Sequence, residues 1–343
     1  MTKHIGDHAN STPRIAVDAM GGDFAPSELV KGAVEGARNF NVEILLVGDK
    51  QEVESHLQLI DTTGSSIKVI PSEGRITEEE HPLQGLRSNP RASVAVATAL
   101  VKENIADAMI TMGPTGAAMA SATLGLGLLG DLDRPCVGGP FLGMAPHTAI
   151  LDLGSNIDCR PKQLLNFATM GCVFAHQFFG VEHPRVGLLS VGAEEGKGNR
   201  QTKESYTLFK HSHLNFIGNI EGMDLLAQKA HVVVCDGFIG NILLKFAEGL
   251  GDAIASHVKA KLTGKVRQLE LEILSRDIWE QTNLSTKMSG PLFGINGNVI
   301  IGHGASKSEE VVGAINTAKR CIEIDLVNNI KQELDILETT PQA

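Results

Sequence analysis

The chain has 343 residues, 42% of them hydrophobic, enough to bury a large core as one large or two medium domains. Thirty basic residues against 40 acidic ones leave a net charge of −10, which excludes a broad cationic face for a nucleic-acid backbone. Five cysteines, odd in number and without a Cys-x-x-Cys pair, argue against a disulfide framework and a zinc site and point to a reducing cytoplasm. The polar N-terminus, MTKHIGDHANSTPR, has no apolar leader core, and no run approaches the ~18 apolar residues of a membrane span. An intracellular protein is expected, with flexible tails at 1–13 and 338–343.

Strand-length apolar runs alternate with amphipathic segments along the chain. IAVDAM (15–20) reads as a strand, SELVKGAVEGARNF (27–40) as a helix, and EILLVGD (43–49) and IKVIPS (67–72) as strands. RASVAVATALVKEN (91–104) is the next helix, followed by the strands ADAMITMG (106–113) and TAILDLG (148–154). KQLLNFATMGCVFAHQFFG (162–180) is helical, RVGLLSVG (185–192) and LNFIGNI (214–220) are strands, and DLLAQKA (224–230) is a short helix. HVVVCDG (231–237) and NVIIGHG (298–304) complete the strands; residues 241–262 and 308–335 are the remaining long helices. Strands apolar throughout suit a sheet covered on both faces, so the pattern predicts a βαβ-wound α/β fold with a largely parallel sheet. Residues 259–296 break the rhythm and read as a charged helical insertion. Within them, residues 266–281 predict an amphipathic helix with Val266, Leu269, Ile273, Leu274 and Trp279 on or near one face.

Glycine clusters after strands in four loops, at Met20-Gly21-Gly22-Asp23, Gly113-Pro114-Thr115-Gly116, Gly192 to Asn199, and Gly302-His303-Gly304. Ligands of open α/β sheets gather at the carboxyl ends of strands, where such loops offer backbone amides to an anion without a surplus of basic side chains. Glycine also serves tight turns, so each loop alone has a second explanation. No Gly-x-x-x-x-Gly-Lys-Ser/Thr, no strand-to-helix Gly-x-Gly-x-x-Gly and no Gly-x-Ser-x-Gly occurs, which gives little support to ATP, NAD or a serine nucleophile. Cys159 and Cys235 beside apolar runs read as packing residues.

IAVDAMGGDFAP, ILDLGSNIDC, SVGAEEGKGN, VVVCDGFIGNILLK and VIIGHGAS, in this order and at these separations, resemble the bacterial phosphate acyltransferases (the PlsX family) from about residue 14 to about 330. These enzymes convert acyl-[acyl carrier protein] and inorganic phosphate to acyl phosphate for phospholipid synthesis. The resemblance implies a single three-layer α/β/α domain over 14–337, with phosphotransacetylase-like or isocitrate/isopropylmalate dehydrogenase-like architecture and the insertion at about 259–296. It also implies a homodimer, no metal or cofactor, and peripheral contact with the inner face of the cell membrane, where a glycerol-3-phosphate acyltransferase and a lipid surface are further partners. A phosphotransacetylase using short acyl-CoA, and a non-catalytic member that binds acyl chains or carrier protein, are the alternatives.

On that resemblance, Gly21 and Gly22 bring backbone against phosphate or thioester. Asp18 and Asp23 orient loop groups, because a carboxylate repels phosphate at contact. Phosphate is already a nucleophile and a thiolate leaves without strong acid help, so the chemistry asks for a cation and for donors to an oxyanion. Lys197 is the expected cation, His303 a donor or proton carrier, and Asn241 or the Thr115 and Gly116 amides the oxyanion donors. Asn156, Glu195, Asp236 and Gly237 complete the expected substrate-binding set, although Asp152, Asn156, Asp158, Asp236 and Asn241 equally suit caps of following helices. Two departures stand out: Pro114 where family members usually have Asn, and Arg87 to Val94 where they usually have a basic run and Ser-Ser-Met.

Overall fold

The computed structural model describes residues 12–283, 287 and 289–339. Most of the expected tails, 1–13 and 338–343, therefore lies outside the described residues. Contacts divide the chain into two compact units, one reaching to Leu126 and resuming over Gly297–Glu323, the other covering Gly127–Asn296 and resuming from Ile324.

The first unit opens with β1 (Arg14–Asp18), α1 (Ser27–Phe40), β2 (Glu43–Gly48), α2 (Lys50–Leu57) and β3 (Ser66–Pro71). It continues through α3 (Pro82–Ser88), α4 (Ser93–Lys102), β4 (Ala108–Thr111) and α5 (Thr115–Leu126). The second unit holds β5 (Cys136–Leu142), β6 (Ala145–Leu151), α6 (Pro161–Phe179), β7 (Val186–Leu189), α7 (Arg200–Lys210), β8 (Phe216–Ile220), α8 (Gly222–Leu226) and β9 (Val232–Val234). α9 (Gly237–Leu262), α10 (Gln268–Thr282) and β10 (Gly290–Phe293) follow. The chain then adds β11 (Asn298–Ile301) and α11 (Ser308–Glu323) to the first unit and α12 (Leu326–Thr339) to the second.

Strand order in the first unit is β3-β2-β1-β4-β11, with every pair parallel. In the second it is β10-β5-β6-β9-β7-β8; β6, β9, β7 and β8 run parallel, while β5 pairs antiparallel with β6 and β10. Ile15 to Val17, Ala108 to Ile110 and Val232 to Val234 are fully buried, as parallel strands covered on both faces require. α1 packs on α11 through glycine: a Cβ at Gly32 would stand 2.6 Å from Val311 Cβ, and one at Gly36 2.5 Å from Ile315 Cδ1.

The structure departs from the sequence reading where periodicity is weak. α5 is built of small residues on every side, and α7 is polar with Asn199 as its cap, its carboxamide oxygen accepting from Thr202 N at 2.9 Å. β5 carries Gly138, Gly139 and Pro140, which disguise a strand. The single helix expected at 308–335 is two, broken at Ile324 and Asp325, the latter at φ 48°. The segment expected as an insertion ends in β10, which joins the second unit's sheet beside β5.

Candidate active site

In the first unit, parallel β1, β4 and β11 open at the same edge, and the loops that follow them close on one another. Asp23 N donates to Gly304 O at 2.8 Å. A Cβ at Gly21 would stand 2.7 Å from Gly113 N and 2.8 Å from Asp18 Oδ2; one at Gly22, which lies at φ +98°, would stand 3.0 Å from Gly304 O. These glycines are required by the neighbouring loops themselves. Asp18 joins two of them: Thr111 Oγ1 donates to its Oδ2 at 2.7 Å, Met20 N to its Oδ1 at 3.1 Å, and Gly113 N to Thr111 Oγ1 at 3.0 Å. Burial pushes the Asp18 carboxyl above its usual range, against the pull of these bonds.

Thr115 and Gly116 form the exposed first turn of α5, and Gly116 sits against Pro82, which a Cβ would approach to 3.0 Å. Pro114 is the residue before that turn, with its carbonyl accepting from Ala118 N at 3.0 Å, so the Thr115 and Gly116 amides have no intrahelical acceptor. His303 is exposed. Its Nδ1 accepts from Ala305 N at 3.1 Å, which assigns the ring proton to Nε2 and makes that nitrogen the donor. Two cations that carry no glycine-loop signal in the sequence flank the first loop. Arg75 Nη1 approaches Met20 O at 3.5 Å, and Lys307 Nζ lies 5.8 Å from the centre of the Phe24 ring.

In the second unit the loops after parallel β6, β9 and β7 adjoin. Asp152, at the end of β6, is fully buried and caps no helix; the N-cap of α6 is Arg160. Its Oδ1 accepts from Gly154 N, Ser155 N and Ser155 Oγ at 2.9, 2.8 and 2.6 Å, and its Oδ2 from Asn156 N and Nδ2, both at 2.7 Å. Burial raises this carboxyl too, with the five donors opposing it. Asn156 is thereby committed to the loop. Its Nδ2 also donates to Pro135 O at 2.8 Å, and its main-chain oxygen accepts from Gly237 N at 2.7 Å.

Gly237 is needed for that approach, since a Cβ there would fall 2.8 Å from Asn156 O. Asp236 is the N-cap of α9, accepting from Ile239 N at 2.9 Å, which realises the capping role the sequence allowed. Asn241, exposed on the second turn of α9, lies against Gly154.

The loop after β7 carries Lys197, exposed and without an ion pair among the described residues. Its amide donates to Glu194 O at 3.0 Å. Glu195 pairs instead with Lys210 at 3.1 Å, an exposed bridge of small energetic weight. Gln201 Nε2 donates to Cys159 O at 2.6 Å, tying the start of α7 to the loop after β6. The thiols nearby are poor nucleophiles. Burial, with the charges of Asp152 and Asp236, pushes Cys159 up to about 12, and burial raises Cys235 and Cys136 well above the usual thiol range. The first unit thus exposes the Thr115 and Gly116 amides and a histidine donor, the second exposes Lys197, and the buried cysteines are unsuited to forming an acyl-enzyme.

Among known proteins, the family described as fatty acid synthesis protein matches residues 13–329. A phosphate acyltransferase of a Cyanothece species is 42% identical over 325 residues, covering 93% of this chain and 94% of the relative. One from Desulfitobacterium hafniense is 40% identical over 326 residues, covering 94% and 97%. The crystal structure of a phosphotransacetylase from Streptococcus pyogenes superposes with a TM-score of 0.61 at 17% identity over 91% of this chain and 94% of that one, a likeness of fold.

Proposed function

We propose that this chain, which belongs to the phosphate acyltransferase family, transfers an acyl group from acyl-[acyl carrier protein] to inorganic phosphate, giving acyl phosphate and the free carrier thiol for phospholipid synthesis. The observation that carries the reading is identity of about two residues in five to phosphate acyltransferases over nearly the whole length of both chains.

The site chemistry is in keeping with that reaction. A phosphate oxygen attacks the thioester carbonyl, a tetrahedral oxyanion forms, and collapse expels the pantetheine sulfur as thiolate, so no protein nucleophile is consumed. We assign phosphate to the loop of Lys197, whose unpaired ammonium supplies the cation, and the carbonyl oxygen to Asn241. In the first unit, Thr115 N, Gly116 N and His303 Nε2 form a donor set of its own, suited to an anionic oxygen, with His303 the one group of the three able to carry a proton. Gly21, Gly22, Asn156, Asp236 and Gly237 shape the loops that present these groups; Asp23 and Glu195 stand exposed beside them.

No described helix is long and apolar enough to cross a membrane. We place the enzyme in the cytoplasm, as a homodimer through α9 and in peripheral contact with lipid through α10. The deciding assay mixes purified protein, phosphate and palmitoyl-carrier protein and follows acyl phosphate. Palmitoyl-CoA and acetyl-CoA run in parallel. Turnover with the carrier thioester supports the reading, turnover confined to acetyl-CoA replaces it with a phosphotransacetylase, and no turnover with any thioester rejects it.

A further inference from the structure

The geometry points to Asp152 as the positioning residue of the second unit's site: its carboxylate fixes the loop 153–156, and that loop sets where the first two turns of α9, and with them Asn241, stand. The inference rests on the acyl-phosphate reading for its kinetic consequence but not for its structural one.

Five donors within 2.9 Å occupy the two carboxylate oxygens, which together offer about four lone-pair directions. No acceptor capacity is left over, and the group is fully buried, so Asp152 neither binds a ligand nor carries a proton. Its influence passes through what it holds. Asn156 O, placed by the two Asn156 bonds to Oδ2, receives Gly237 N at 2.7 Å. Gly154, placed by its bond to Oδ1 and held at φ +132°, supports Asn241: a Cβ at Gly154 would stand 3.2 Å from Asn241 Cβ and 3.2 Å from its Oδ1.

The carbonyl of Asp152 lies directly under Gly240, where a Cβ would fall 1.8 Å away, so α9 is seated on this residue's backbone as well as on its loop. From carboxylate to Asn241 the path runs through Gly154 alone, and from carboxylate to the first α9 amide through Asn156 alone.

Asp152→Asn keeps the volume but turns one acceptor oxygen into an N–H donor that faces N–H or O–H groups already pointing at it, so half of the loop's anchorage is lost. Hydrogen exchange read by mass spectrometry, and steady-state kinetics, on full-length wild type, Asp152→Asn, Asn241→Ala and the double variant form the test. We expect faster exchange over 153–158 and 237–241 with β7 and β8 unchanged. We also expect a kcat lower by about a hundredfold with the phosphate KM within threefold, and a double variant no slower than Asp152→Asn alone, because both changes remove the same interaction. Where Asp152→Asn does not fold, Ser155→Ala deletes one of the five donors, together with the acceptor of Val137 N at 2.8 Å, and is expected to give the same exchange pattern over 153–158 and 237–241, with a loss of about three- to tenfold.

Unchanged exchange over 237–241, or losses that multiply in the double variant, would overturn the inference. A wild-type protein that turns over no thioester rejects the proposed activity, and the exchange pattern still decides whether Asp152 holds α9.

Discussion

Lys197 leaves its loop over Gly192, where a Cβ would stand 3.0 Å from the lysine Cγ, so the stem is seated while the ammonium stays in solvent. An exposed, unpaired lysine adds little to stability but is free to meet an anion. Lys197→Ala is therefore expected to raise the KM for phosphate by about tenfold to a hundredfold, the scale of one charge-assisted hydrogen bond, and to lower kcat, with the melting temperature nearly unchanged. Unaltered phosphate kinetics would reduce Lys197 to a solvated loop residue. At this scale the sequence showed where special residues lie better than it showed why. Gly21 and Gly22 invite the thought that a ligand comes close, and the atoms that come close are Gly113 N and Gly304 O, which lie some 90 and 280 residues along the chain and are not visible to local reading. Asp236 was legible because capping is local; Asp152 was not, because its five donors depend on a turn whose shape the letters Gly-Ser-Asn leave open.

Among the elements, α1 and α11 meet closely enough that glycine decides the packing. Gly32→Ala places a methyl 2.6 Å from Val311 Cβ and 2.7 Å from Ser308 O, so the helices must separate; a destabilisation of about 1–3 kcal/mol is expected in urea unfolding, and a loss under about 0.5 kcal/mol would contradict the packing described. The same pair is tied by Glu28 Oε2, which accepts from Ser308 N at 3.0 Å. That amide bond, the largest influence on the group, lowers the Glu28 pKa below its unfolded value, so its stabilisation is present above the unfolded pKa and disappears as pH falls through the folded one. Glu28→Gln is expected to flatten this part of the acid limb of the stability curve, measured by urea unfolding from neutral pH to about pH 3; a variant curve parallel to wild type throughout would show that the bond contributes no proton linkage.

α10 presents the opposite case, an apolar face turned outward. Leu271 is buried at 1%, whereas Leu269 and Ile273 are 68% and 60% exposed. The amphipathic pattern was readable, but the direction of each stripe was not, since packing selects the face. Neighbouring Glu270 and Glu272 make anionic lipid an unfavourable partner, so attachment, if it uses this face, depends on apolar insertion. Wild type is expected to co-sediment with neutral vesicles more than with anionic ones, and Leu269→Glu with Ile273→Glu to remain in the supernatant; equal behaviour of the two proteins would remove α10 as the anchor.

For the whole molecule, the alternation of apolar runs and helices made the α/β class and most parallel strands legible, because a strand covered on both faces writes itself as an unbroken apolar run. What escaped was set by tertiary contact. β5 hides its strand behind Gly138-Gly139-Pro140, and α7 owes its helix to a cap and to burial of Phe209 more than to any apolar stripe. The largest feature left open by this single chain is α9. Its fully buried residues are Gly237, Gly240 and Gly251, and Leu243, Leu244 and Ala247 pack half-buried against the core of its own unit, which leaves a second apolar row facing out. Phe238, Ile242, Phe246, Leu250 and Ile254, four residues apart in succession, are all exposed, Phe246 by 65%. Scattered apolar residues on a surface are ordinary, but five on one run of helix are the mark of a covered face. A second copy is the simplest cover, because a two-fold contact lets one stripe meet its own image. Phe246→Glu with Leu250→Glu would place four carboxylates in that contact and is expected to convert a dimer to a monomer in analytical ultracentrifugation at micromolar concentration. Its far-ultraviolet circular dichroism should stay that of wild type, since neither side chain is buried in the single chain. A double variant that still sediments as a dimer would place the interface elsewhere, and a wild type that sediments as a monomer would leave the stripe to a partner of another kind.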